Sequence, residues 1–578
     1  MRCWAVGLPG SPHGSFGEPH RSLPVIPNSP ELPNRTPLPI GEWPSRTTAR
    51  PPCVVFEDDH LLVVNKPPGW NTHSPAPYAG EGIHEWLKHR EPRWARLAIV
   101  HRLDKDTSGL LVFGKSPAAN RSLTEQFARR QVHKYYQLVC NRPVQQERFT
   151  VRTAIVRTGD RYTAQPPGSG GDLAETHFRV IRRDHAGTWI EAEPVTGRTH
   201  QIRVHAAFVQ LPILGDPLYG GGPASRLHLH ATRLRLAHPQ TGEALTWEVP
   251  PDFSRPPGTA LRSAIVPSGE TDAIRWIHGS ADGLPGVYLE QLGDWWVNEG
   301  ENGDECAVRM NAIRAAIPST PRGIYFKQLR RQVRQATVPE ASPRRMEGEE
   351  APARFGVREN GLRFELSFTE GYSTGLFLDQ RDNRRRLLTR HVASEFPLPA
   401  GADAGDGILN CFSYTCGFSV CAAAGGYRTT SLDLSRKYLD WGRRNFTLNG
   451  LDPGAHDFIY GDVFDWLQRL AKKPRRFSVI LLDPPTFSRS REHGDFRAEA
   501  DYASLVSLAL PLLGPGGVIL SSTNAARLSP DRFITQVRSA IATSGRRIVQ
   551  EHYAPQPPDF PVTREEPAHL KTLWTRVA

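Results

Sequence analysis

The sequence has few cysteines and no long apolar run. Seven cysteines stand at irregular spacing among 578 residues. An odd, scattered set argues against a disulfide framework and for a reducing compartment, so we expect a cytoplasmic protein. No uninterrupted apolar stretch reaches about 18 residues, which argues against a membrane-spanning helix. The first residues also lack the charged start and apolar core of a secretory signal.

What is present is the composition of a folded protein with a basic excess. Hydrophobic residues make up 39% and charged residues 23% of the chain, which excludes a fully disordered protein. Lys and Arg number 71 against 60 Asp and Glu, a formal charge of +11 that favours a polyanionic partner. At about 150 residues per domain, the length predicts three or four domains.

The chain divides by pattern into four parts. Residues 1–52 carry a proline every few positions and no apolar period, which predicts a disordered tail. Residues 53–255 show short strands with a few helices and predict a mostly-β α+β domain. Residues 256–355 predict a small β-rich linking domain, with an exposed linker towards its end. Residues 356–578 alternate strands and helices, the pattern of a doubly wound, Rossmann-like α/β sheet.

Three local features of these parts are specific enough to check. Ser116 and Pro117 are typical of a helix start and predict a helix immediately after them. The apolar spacing of residues 306–317 predicts a helix in the β-rich part. Residues 337–354 are polar and charged, and they are the predicted linker.

A first candidate site lies in the segment HRLDKDTSGLLVF, residues 101–113. Asp104 stands there in a turn just before an apolar strand. A carboxylate in that place can be a nucleophile, a general base or a turn cap, and the tetrapeptide alone favours the cap.

The longer pattern of the same part resembles the RluA-type RNA pseudouridine synthases. The matching blocks are VVNKPPGWNTH, HRLDKDTSGLLVFGKS, HKYYQLV, GRTHQIRVHAAFVQLPILGDPLYGG and LHLHATRLRLAHP, in family order. The resemblance implies that Asp104 attacks a flipped uridine and that Tyr136 stacks on the uracil. It implies that Arg203 pairs with the aspartate and that Arg102 fills the gap left by the base.

These residue types suit the implied chemistry. A guanidinium beside a nucleophilic carboxylate keeps it ionised in a dry pocket. Extruding a base costs about a few kcal/mol, which a stacking ring and an inserted cation offset. The reaction is an isomerisation and needs no metal. We therefore interpret the nearby histidines as packed or RNA-facing rather than metal-binding; they are His200, His205, His228, His230 and His238.

A second candidate site lies at the strand ends of the C-terminal part. The turn LNCFSYTCGFSV, residues 409–420, joins a strand to a helix whose N-terminus faces a ligand. Asp433 and Asp462 follow the next two strands, and LLDPPTF, residues 481–487, follows the fourth. An acid at the second strand end typically accepts from ribose hydroxyls.

The C-terminal part resembles class I S-adenosylmethionine-dependent methyltransferases, with the closest likeness to ribosomal RNA enzymes of RlmI and RlmK type. The matching blocks include TGLFLDQRDNRRRL, LDLSRKYLDWGRRNFTLNGL and LLDPPTFSRS. The resemblance implies S-adenosyl-L-methionine as cofactor, with Asp433 at its ribose and Asp462 at its adenine. The other implied positions are Phe412, Tyr414 and Gly417 around the methionine part, Asp379, Gln380 and Arg381 closing over the cofactor, and Asp483, Pro484, Pro485 and Phe487 at the target base.

Two departures from the family pattern bear on the reaction. Cys416 stands where a glycine is usual and could crowd the cofactor. The RlmI type carries a catalytic cysteine after the fifth strand, where this chain reads ILSSTNAARLS, residues 519–529. Methylating cytosine at carbon 5 needs such a thiolate. Guanine nitrogen 7 has a free lone pair and needs only positioning, so we expect that target, with an exocyclic amino group still open.

The leading hypothesis is a bifunctional enzyme that makes pseudouridine and methylates a base of RNA, either large-subunit ribosomal RNA or transfer RNA. Basic runs at 127–134, 384–390 and 472–476 could bind phosphates or be solvated helix faces. One alternative is a pseudouridine synthase whose C-terminal half only binds RNA because the cofactor turn is blocked. The other is that this half methylates an exocyclic amino group or cytosine. The sequence does not give the oligomeric state.

Overall fold

The computed structural model describes residues 49–301, 310, 313–328, 338–370, 373–400, 407–490 and 494–578. Most of the predicted tail at 1–52 and half of the predicted helix at 306–317 lie outside the described residues; the described residues 310 and 313–316 are helical. Within the described ranges, none of the helices combines the length and apolar character needed to cross a bilayer.

The N-terminal part is built on an eleven-stranded sheet in the order β1-β2-β4-β10-β5-β9-β8-β6-β7, with β3 beside β4 and β11 beside β10. The strands are β1 (Val54–Glu57), β2 (Leu61–Lys66), β3 (Ala98–Ile99), β4 (Ser108–Gly114), β5 (His133–Cys140), β6 (Arg148–Thr158), β7 (Arg161–Gln165), β8 (Asp172–Asp184), β9 (Gly187–Pro194), β10 (Leu229–Ala237) and β11 (Ala244–Glu248). The mostly-β fold predicted for this part is confirmed.

Four helices cover this sheet: α1 (Ile83–Arg90), α2 (Pro117–Ala128), α3 (Gln201–Phe208) and α4 (Pro257–Ile265). The predicted helix start is confirmed, because the Ser116 side chain accepts from the backbone of Ala119. Helix α4 packs Leu261 and Ile265 into the core of this sheet. Residues 257–265 therefore pack with the N-terminal part.

The turn that carries Asp104 is tied to the sheet by a close backbone approach. Strand β4 begins four residues later and runs parallel to β10. Gly109 of β4 has φ +117°, and a Cβ there would lie 2.4 Å from the carbonyl oxygen of Ala231. Only glycine allows the two strands to meet at this distance.

A five-stranded sheet follows, in the order β12-β13-β14-β15-β16. Its strands are β12 (Ala273–His278), β13 (Tyr288–Leu292), β14 (Trp295–Gly300), β15 (Gly323–Gln328) and β16 (Arg344–Gly348), with a short helix α5 (Val338–Ala341) before the last. The prediction of a linker over 337–354 is therefore wrong in part, because β16 pairs antiparallel with β15. Its side chains are all exposed, so no apolar pattern marks it as a strand.

The C-terminal part is a doubly wound α/β fold, as predicted. Its seven-stranded sheet has the order β23-β22-β21-β24-β27-β29-β28. Strand β29 runs antiparallel to both of its neighbours, β27 and β28. These strands are β21 (Ile408–Cys411), β22 (Thr429–Asp433), β23 (Asp457–Tyr460), β24 (Phe477–Leu482), β27 (Leu513–Thr523), β28 (Ile548–Ala554) and β29 (Lys571–Val577).

Helices and three small hairpins complete this part. The helices are α6 (Arg381–Thr389), α7 (Gly417–Ala424), α8 (Arg436–Leu448), α9 (Val463–Ala471), α10 (Ala498–Ala509) and α11 (Pro530–Thr543). The hairpins pair β17 (Phe355–Glu359) with β18 (Leu362–Leu366), β19 (His391–Ala393) with β20 (Phe396–Pro397), and β25 (Phe487–Ser490) with β26 (Gly494–Arg497). The order β21-β24 marks the switch point of the sheet, where ligands bind.

Helices α1 and α6 join the N-terminal and C-terminal parts through buried charges. Arg385 donates to Glu91, and Trp86 donates to Asp382 over 3.2 Å. Arg384 of the same helix forms a bidentate pair with Glu359 at 2.6 and 2.7 Å. The basic run at 384–390 is therefore not a phosphate-binding surface, because its first three arginines are buried in ion pairs.

We expect Glu91→Ala to destabilise the protein by about 3 kcal/mol, because it leaves the buried Arg385 charge without its partner. Thermal unfolding measures the change. The control is Glu125→Ala, which removes an exposed pair with Arg129 and should cost under about 0.5 kcal/mol. Equal effects of the two substitutions would contradict the assignment of this junction as a buried, paired interface.

Candidate active sites

Asp104 lies in the turn between β3 and β4 with its side chain 27% exposed. The backbone carbonyl of Asp104 accepts from Thr107 over 3.2 Å, so the turn is closed by main chain and the carboxylate stays available. The nearest ring nitrogen, Nε2 of His200, stands 4.0 Å from Oδ2 of Asp104. An accessible carboxylate at the rim of a sheet can reach a flipped base.

Tyr136 lies on β5 and is 9% exposed. Burial raises the pKa of its hydroxyl, and the charge of Asp104 raises it further. The tyrosine is therefore neutral near the carboxylate, which suits a stacking ring. Arg102 is exposed and donates to Thr199 over 3.5 Å, so its guanidinium is available to RNA. The roles of these residues stay predictions.

Arg203 differs from the expectation that it pairs directly with Asp104. Its guanidinium forms a bidentate pair with Asp216 at 2.7 and 2.8 Å. Burial lowers the pKa of Arg203, but the hydrogen bonds and charge of Asp216, together with the charge of Asp104, raise it above its usual value. Arg203 thus acts on Asp104 through its field rather than by contact, and Asp216 fixes it in place.

Several residues near Asp104 were missed by sequence reasoning. Lys66 is fully buried and donates to the carbonyls of Pro67, Trp70 and Lys105 at 2.8–3.0 Å. Burial lowers the pKa of Lys66 to about 7, although the charges of Asp106 and Asp104 oppose the shift. Lys66 and Asp216 both stand inside the quoted family blocks, and that position was the signal that could have found them.

His200, interpreted from sequence as packed or RNA-facing, also lies beside Asp104. Its Nδ1 bonds the hydroxyl of Tyr219 over 2.8 Å, and its backbone has a left-handed φ of 56°. Burial lowers the pKa of His200, against the charge of Asp104. A histidine held in this way beside the carboxylate belongs to the site and is more than a packed residue.

The other histidines near this site are held by hydrogen bonds or rings. His205 bonds the hydroxyls of Thr153 and Thr176 at 3.0 and 2.8 Å. His230 bonds Ser108 at 2.8 Å, and His228 stacks on Phe253. His238 lies 3.2 Å from a carboxylate oxygen of Asp58. These contacts fit the interpretation of these histidines as packed residues.

A different group of possible metal ligands lies at the junction of α1 and β28. Ligand atoms of Glu81, His89 and His552 lie within 4.8 Å of one another. His89 Nδ1 is 2.6 Å from Glu81 Oε1, a hydrogen bond, and Arg386 stands 3.7 Å from the same oxygen. Because the arginine already supplies positive charge to that carboxylate, we assign no metal to this group.

The turn after β21 is curved by three residues with left-handed backbones. Phe412, Tyr414 and Cys416 have φ of 60°, 49° and 62°. Non-glycine residues adopt this conformation rarely, and a run of them marks a functional turn. The turn leads into α7 at Gly417, so backbone N–H groups and the positive end of the helix face the crevice. This donor set fits the carboxylate of S-adenosylmethionine.

Asp433 ends β22 and is joined to this turn. Its Oδ2 accepts from the backbone of Tyr414 and its Oδ1 from that of Ser435, both at 2.8 Å. Burial raises the pKa of Asp433 to about 6, although these two hydrogen bonds oppose the shift. A carboxylate has about four acceptor positions, so two remain for ribose hydroxyls.

The thiol of Cys416 does not crowd the crevice. The side chain is fully buried, and it packs between the turn and Gly442 of α8. Burial raises the pKa of this thiol to about 12. The reason for expecting a blocked cofactor turn is therefore removed.

We expect Gly442→Ala to weaken S-adenosylmethionine binding about tenfold. A Cβ at Gly442 would lie 2.3 Å from Cys416 Sγ and 2.9 Å from Cys416 Cβ. Overpacking of this kind costs about 1–3 kcal/mol, and it displaces the cofactor turn. Calorimetric titration with the cofactor measures the loss. Adding Cys416→Gly restores the space and should restore binding; a single variant that binds like wild type would contradict the packing argument.

The three residues predicted to close over the cofactor have different hydrogen-bond partners. Asp379 is buried and bonds His569 over 3.1 Å. Gln380 donates to Ser522 over 2.8 Å and to Asp483 over 3.2 Å. Arg381 instead forms a bidentate pair with Asp559 at 2.8 and 2.7 Å. Because its guanidinium is taken by this pair, we assign Arg381 a structural role and no cofactor contact.

Asp483 is the first residue of the loop after β24. The loop continues through Pro484 and Pro485 to the hairpin that starts at Phe487. Burial and the charge of Asp379 raise the pKa of Asp483 to about 7, although bonds to Ser522 and Gln380 lower it. Asp462 follows β23 and accepts from the backbones of Phe464 and Asp465 at 2.9 and 3.3 Å, as the cap of α9. Its adenine contact stays a prediction.

The raised pKa of Asp483 predicts a pH-dependent stability. The folded value of about 7 lies above the ordinary 3.8. The stability that protonation gives is therefore complete below about pH 4 and is lost as the pH rises to 7. Relative to wild type, Asp483→Asn should gain about 2–4 kcal/mol between pH 4 and pH 8. Melting curves at both values test this, with Asp440→Asn, an exposed carboxylate, as the control that gains nothing.

The cysteines of this part lie in the core. Cys411, Cys416 and Cys421 are all 0% exposed. Burial raises the pKa of each of these thiols, Cys411 and Cys421 most strongly. Among the described residues, therefore, no thiolate faces the loop of Asp483.

Two family models match the chain. RNA pseudouridylate synthase matches residues 60–208, and S-adenosylmethionine-dependent methyltransferase matches residues 313–576. The first range contains Asp104, Tyr136 and Arg203, and the second contains the cofactor turn and the Asp483 loop.

The curated relatives agree with the second of these matches. Ribosomal RNA large subunit methyltransferase I of Klebsiella pneumoniae is 33% identical over 311 residues, which are 53% of this chain and 74% of that protein. A ribosomal RNA large subunit methyltransferase of Deinococcus radiodurans is 30% identical over 353 residues, 60% of this chain and 83% of that protein. A human structure, RNA pseudouridylate synthase domain containing 4, is 26% identical with a TM-score of 0.29 and covers 35% of this chain and 89% of its own.

The protein is an enzyme with two active sites, an isomerase site on the N-terminal sheet and an S-adenosylmethionine site on the C-terminal one. The family expectations from sequence are confirmed for both halves. The chain belongs to the S-adenosylmethionine-dependent methyltransferase family of its Klebsiella and Deinococcus relatives, and it carries an RNA pseudouridylate synthase domain in front of that methyltransferase.

Proposed function

We propose that this protein isomerises a uridine to pseudouridine and methylates nitrogen 7 of a guanine, both in large-subunit ribosomal RNA. The RNA is proposed from the names of the relatives, which are large-subunit ribosomal RNA methyltransferases. A cytoplasmic location of the protein likewise stays a prediction. Two sites on one chain raise the local concentration of the second activity at the RNA.

In the isomerase site, Asp104 is the nucleophile that opens the bond between uracil and ribose. Tyr136 stacks on the base, and Arg102 enters the space that the base leaves. Arg203, held by Asp216, supplies a positive charge that interacts with the charge of Asp104. The isomerisation needs no external acceptor, because the uracil rejoins the same ribose through carbon 5, which loses a proton while nitrogen 1 gains one.

In the methyltransferase site, the turn of Phe412, Tyr414 and Gly417 would hold the methionine part and Asp433 the ribose. S-adenosylmethionine supplies the methyl group as an electrophile. Asp483, Pro484, Pro485 and Phe487 would place the base, and Gln380 fixes the Asp483 carboxylate. Guanine nitrogen 7 attacks with its own lone pair, so the site needs to align it and exclude water.

The observation that carries the guanine assignment is that the described part of the methyltransferase half shows no reactive thiol. Cytosine carbon 5 needs a cysteine to add to carbon 6. The three cysteines of the described methyltransferase half are buried in its core with raised pKa values. Nitrogen 7 requires neither a nucleophile nor a base.

An exocyclic amino group is the second candidate target. It must lose a proton, and Asp483 with a pKa of about 7 is suited to accept one. The first half of the proposal is unaffected by this choice.

Methylation of purified large-subunit RNA with labelled S-adenosylmethionine tests the proposal. The RNA comes from cells that lack the gene, and the products are digested and separated as nucleosides. Label in 7-methylguanosine supports the assignment. Label in 5-methylcytidine would overturn it and identify a thiol that the described residues do not show. Label in an N-methylated amino group would make Asp483 the base.

A further inference from the structure

The two loops at the target end of the methyltransferase sheet are joined by one side-chain hydrogen bond. Thr486, in the loop after β24, donates from Oγ1 to Oδ1 of Asn524 over 2.8 Å. Asn524 directly follows β27, the parallel neighbour of β24. Both side chains are half-buried. The carboxyl ends of neighbouring parallel strands border the ligand crevice of such a sheet.

In this structure the Asn524 amide is oriented with its Oδ1 towards Thr486. An amide presents an acceptor oxygen on one side and two N–H donors on the other. Because Oδ1 faces Thr486, Nδ2 is directed away from it. Among the described residues, no group accepts a hydrogen bond from Nδ2, so its donors are available to a substrate.

The backbone on both sides of Asn524 is also held. Ser522 donates from its backbone to the buried Tyr502 hydroxyl over 2.7 Å. Ala525 donates from its backbone to Thr523 Oγ1 over 3.2 Å, and its carbonyl accepts from Lys571 Nζ over 2.8 Å. Asn524 is thus a preorganised donor, the kind of group that gives specificity without paying for reordering.

We propose that Asn524 determines which base is methylated, by donating from Nδ2 to an acceptor beside the methylated atom. This rests on the proposed function and names the base feature that the site recognises. Guanine carries the acceptor O6 next to nitrogen 7. Adenine carries an amino group there, and cytosine carries one next to carbon 5. A fixed donor therefore accepts guanine and opposes the other two.

Thr486 is the positioning residue for this donor. Without its hydroxyl the amide is free to turn its oxygen towards the base, where it opposes O6. Thr486→Val should therefore lower guanine methylation about tenfold through kcat/KM, and Thr486→Ser, which keeps the hydroxyl, should retain it.

The test uses the full chain and a synthetic RNA that carries the mapped target. Its target guanine is replaced by 2,6-diaminopurine, which keeps nitrogen 7 but has an amino group in place of O6. Wild type should lose about 100-fold in kcat/KM on this RNA. Asn524→Asp replaces the donor with an acceptor, so it should lose about 100-fold on guanine and prefer diaminopurine. Inosine, which keeps O6 and nitrogen 7, should be methylated by wild type like guanine.

The outcomes separate this inference from the function on which it rests. Cofactor binding, measured by calorimetry, should stay unchanged in Asn524→Asp, which shows that the site is folded. If wild type forms no 7-methylguanosine at all, the proposed function fails. If wild type forms it while Asn524→Asp keeps the guanine preference, the function stands and the assignment of Asn524 is overturned.

Discussion

Asp104→Asn removes pseudouridine formation, by about 10⁴-fold or more, and leaves methyl transfer at the wild-type rate. An amide cannot supply the electron pair with which the carboxylate opens the base–ribose bond, and loss of a catalytic nucleophile has effects of this size. The substitution keeps the volume of the side chain, and the turn is closed by backbone, from Thr107 to the Asp104 carbonyl. Release of tritium from carbon 5 of labelled uridine in the RNA measures the reaction.

The matched control for this prediction is Asp106→Asn. Asp106 is an exposed carboxylate two residues away in the same turn. Asp106 lies in the same turn, but the family resemblance assigns it no role in the reaction. We therefore expect Asp106→Asn to form pseudouridine within a few-fold of the wild-type rate. Pseudouridine formation by Asp104→Asn, or its loss in Asp106→Asn alone, would show that the nucleophile is misassigned.

Asp483→Ala lowers methyl transfer at least about 100-fold and leaves the isomerase rate unchanged. The Asp483 carboxylate accepts a hydrogen bond from Gln380. Its removal therefore frees both the loop that begins at Asp483 and the side chain of Gln380. A displacement of about 1 Å of a reacting group costs about this much. Single-turnover transfer of label from S-adenosylmethionine to RNA measures the effect.

The control for the second prediction is Asp465→Ala on α9, which removes a partly exposed carboxylate paired with Arg469. Cofactor affinity of Asp483→Ala should stay within a few-fold of wild type, because the ribose and methionine contacts come from other loops. Loss of cofactor binding together with rate would assign Asp483 to the cofactor instead of the base.

Local patterns predicted the elements of this protein well, because they depend on neighbours in the chain. The alternation after residue 400 gave the parallel sheet, and Ser116 gave the start of α2. The strand-end positions of Asp433 and Asp483 followed from the same alternation. The candidate site could be located in this way because such sheets bind ligands at one edge.

Long-range pairing could not be predicted in the same way. Arg385 looked like a phosphate-binding residue, but it is buried against Glu91, 294 positions away. Arg203 was expected at Asp104 and is held by Asp216, and Arg381 is held by Asp559, 178 positions away. The partner of a charge is set by the tertiary fold, and nothing in the local sequence of the arginine marks it.

The most direct test of two independent activities on one RNA is the nucleoside content of large-subunit RNA from cells. Cells without the gene are supplied with wild type, Asp104→Asn or Asp483→Ala, and nucleosides are quantified by mass spectrometry. We predict that Asp104→Asn restores only 7-methylguanosine, that Asp483→Ala restores only pseudouridine, and that wild type restores both. Unchanged RNA in the deletion strain, or loss of 5-methylcytidine in place of 7-methylguanosine, would contradict the account.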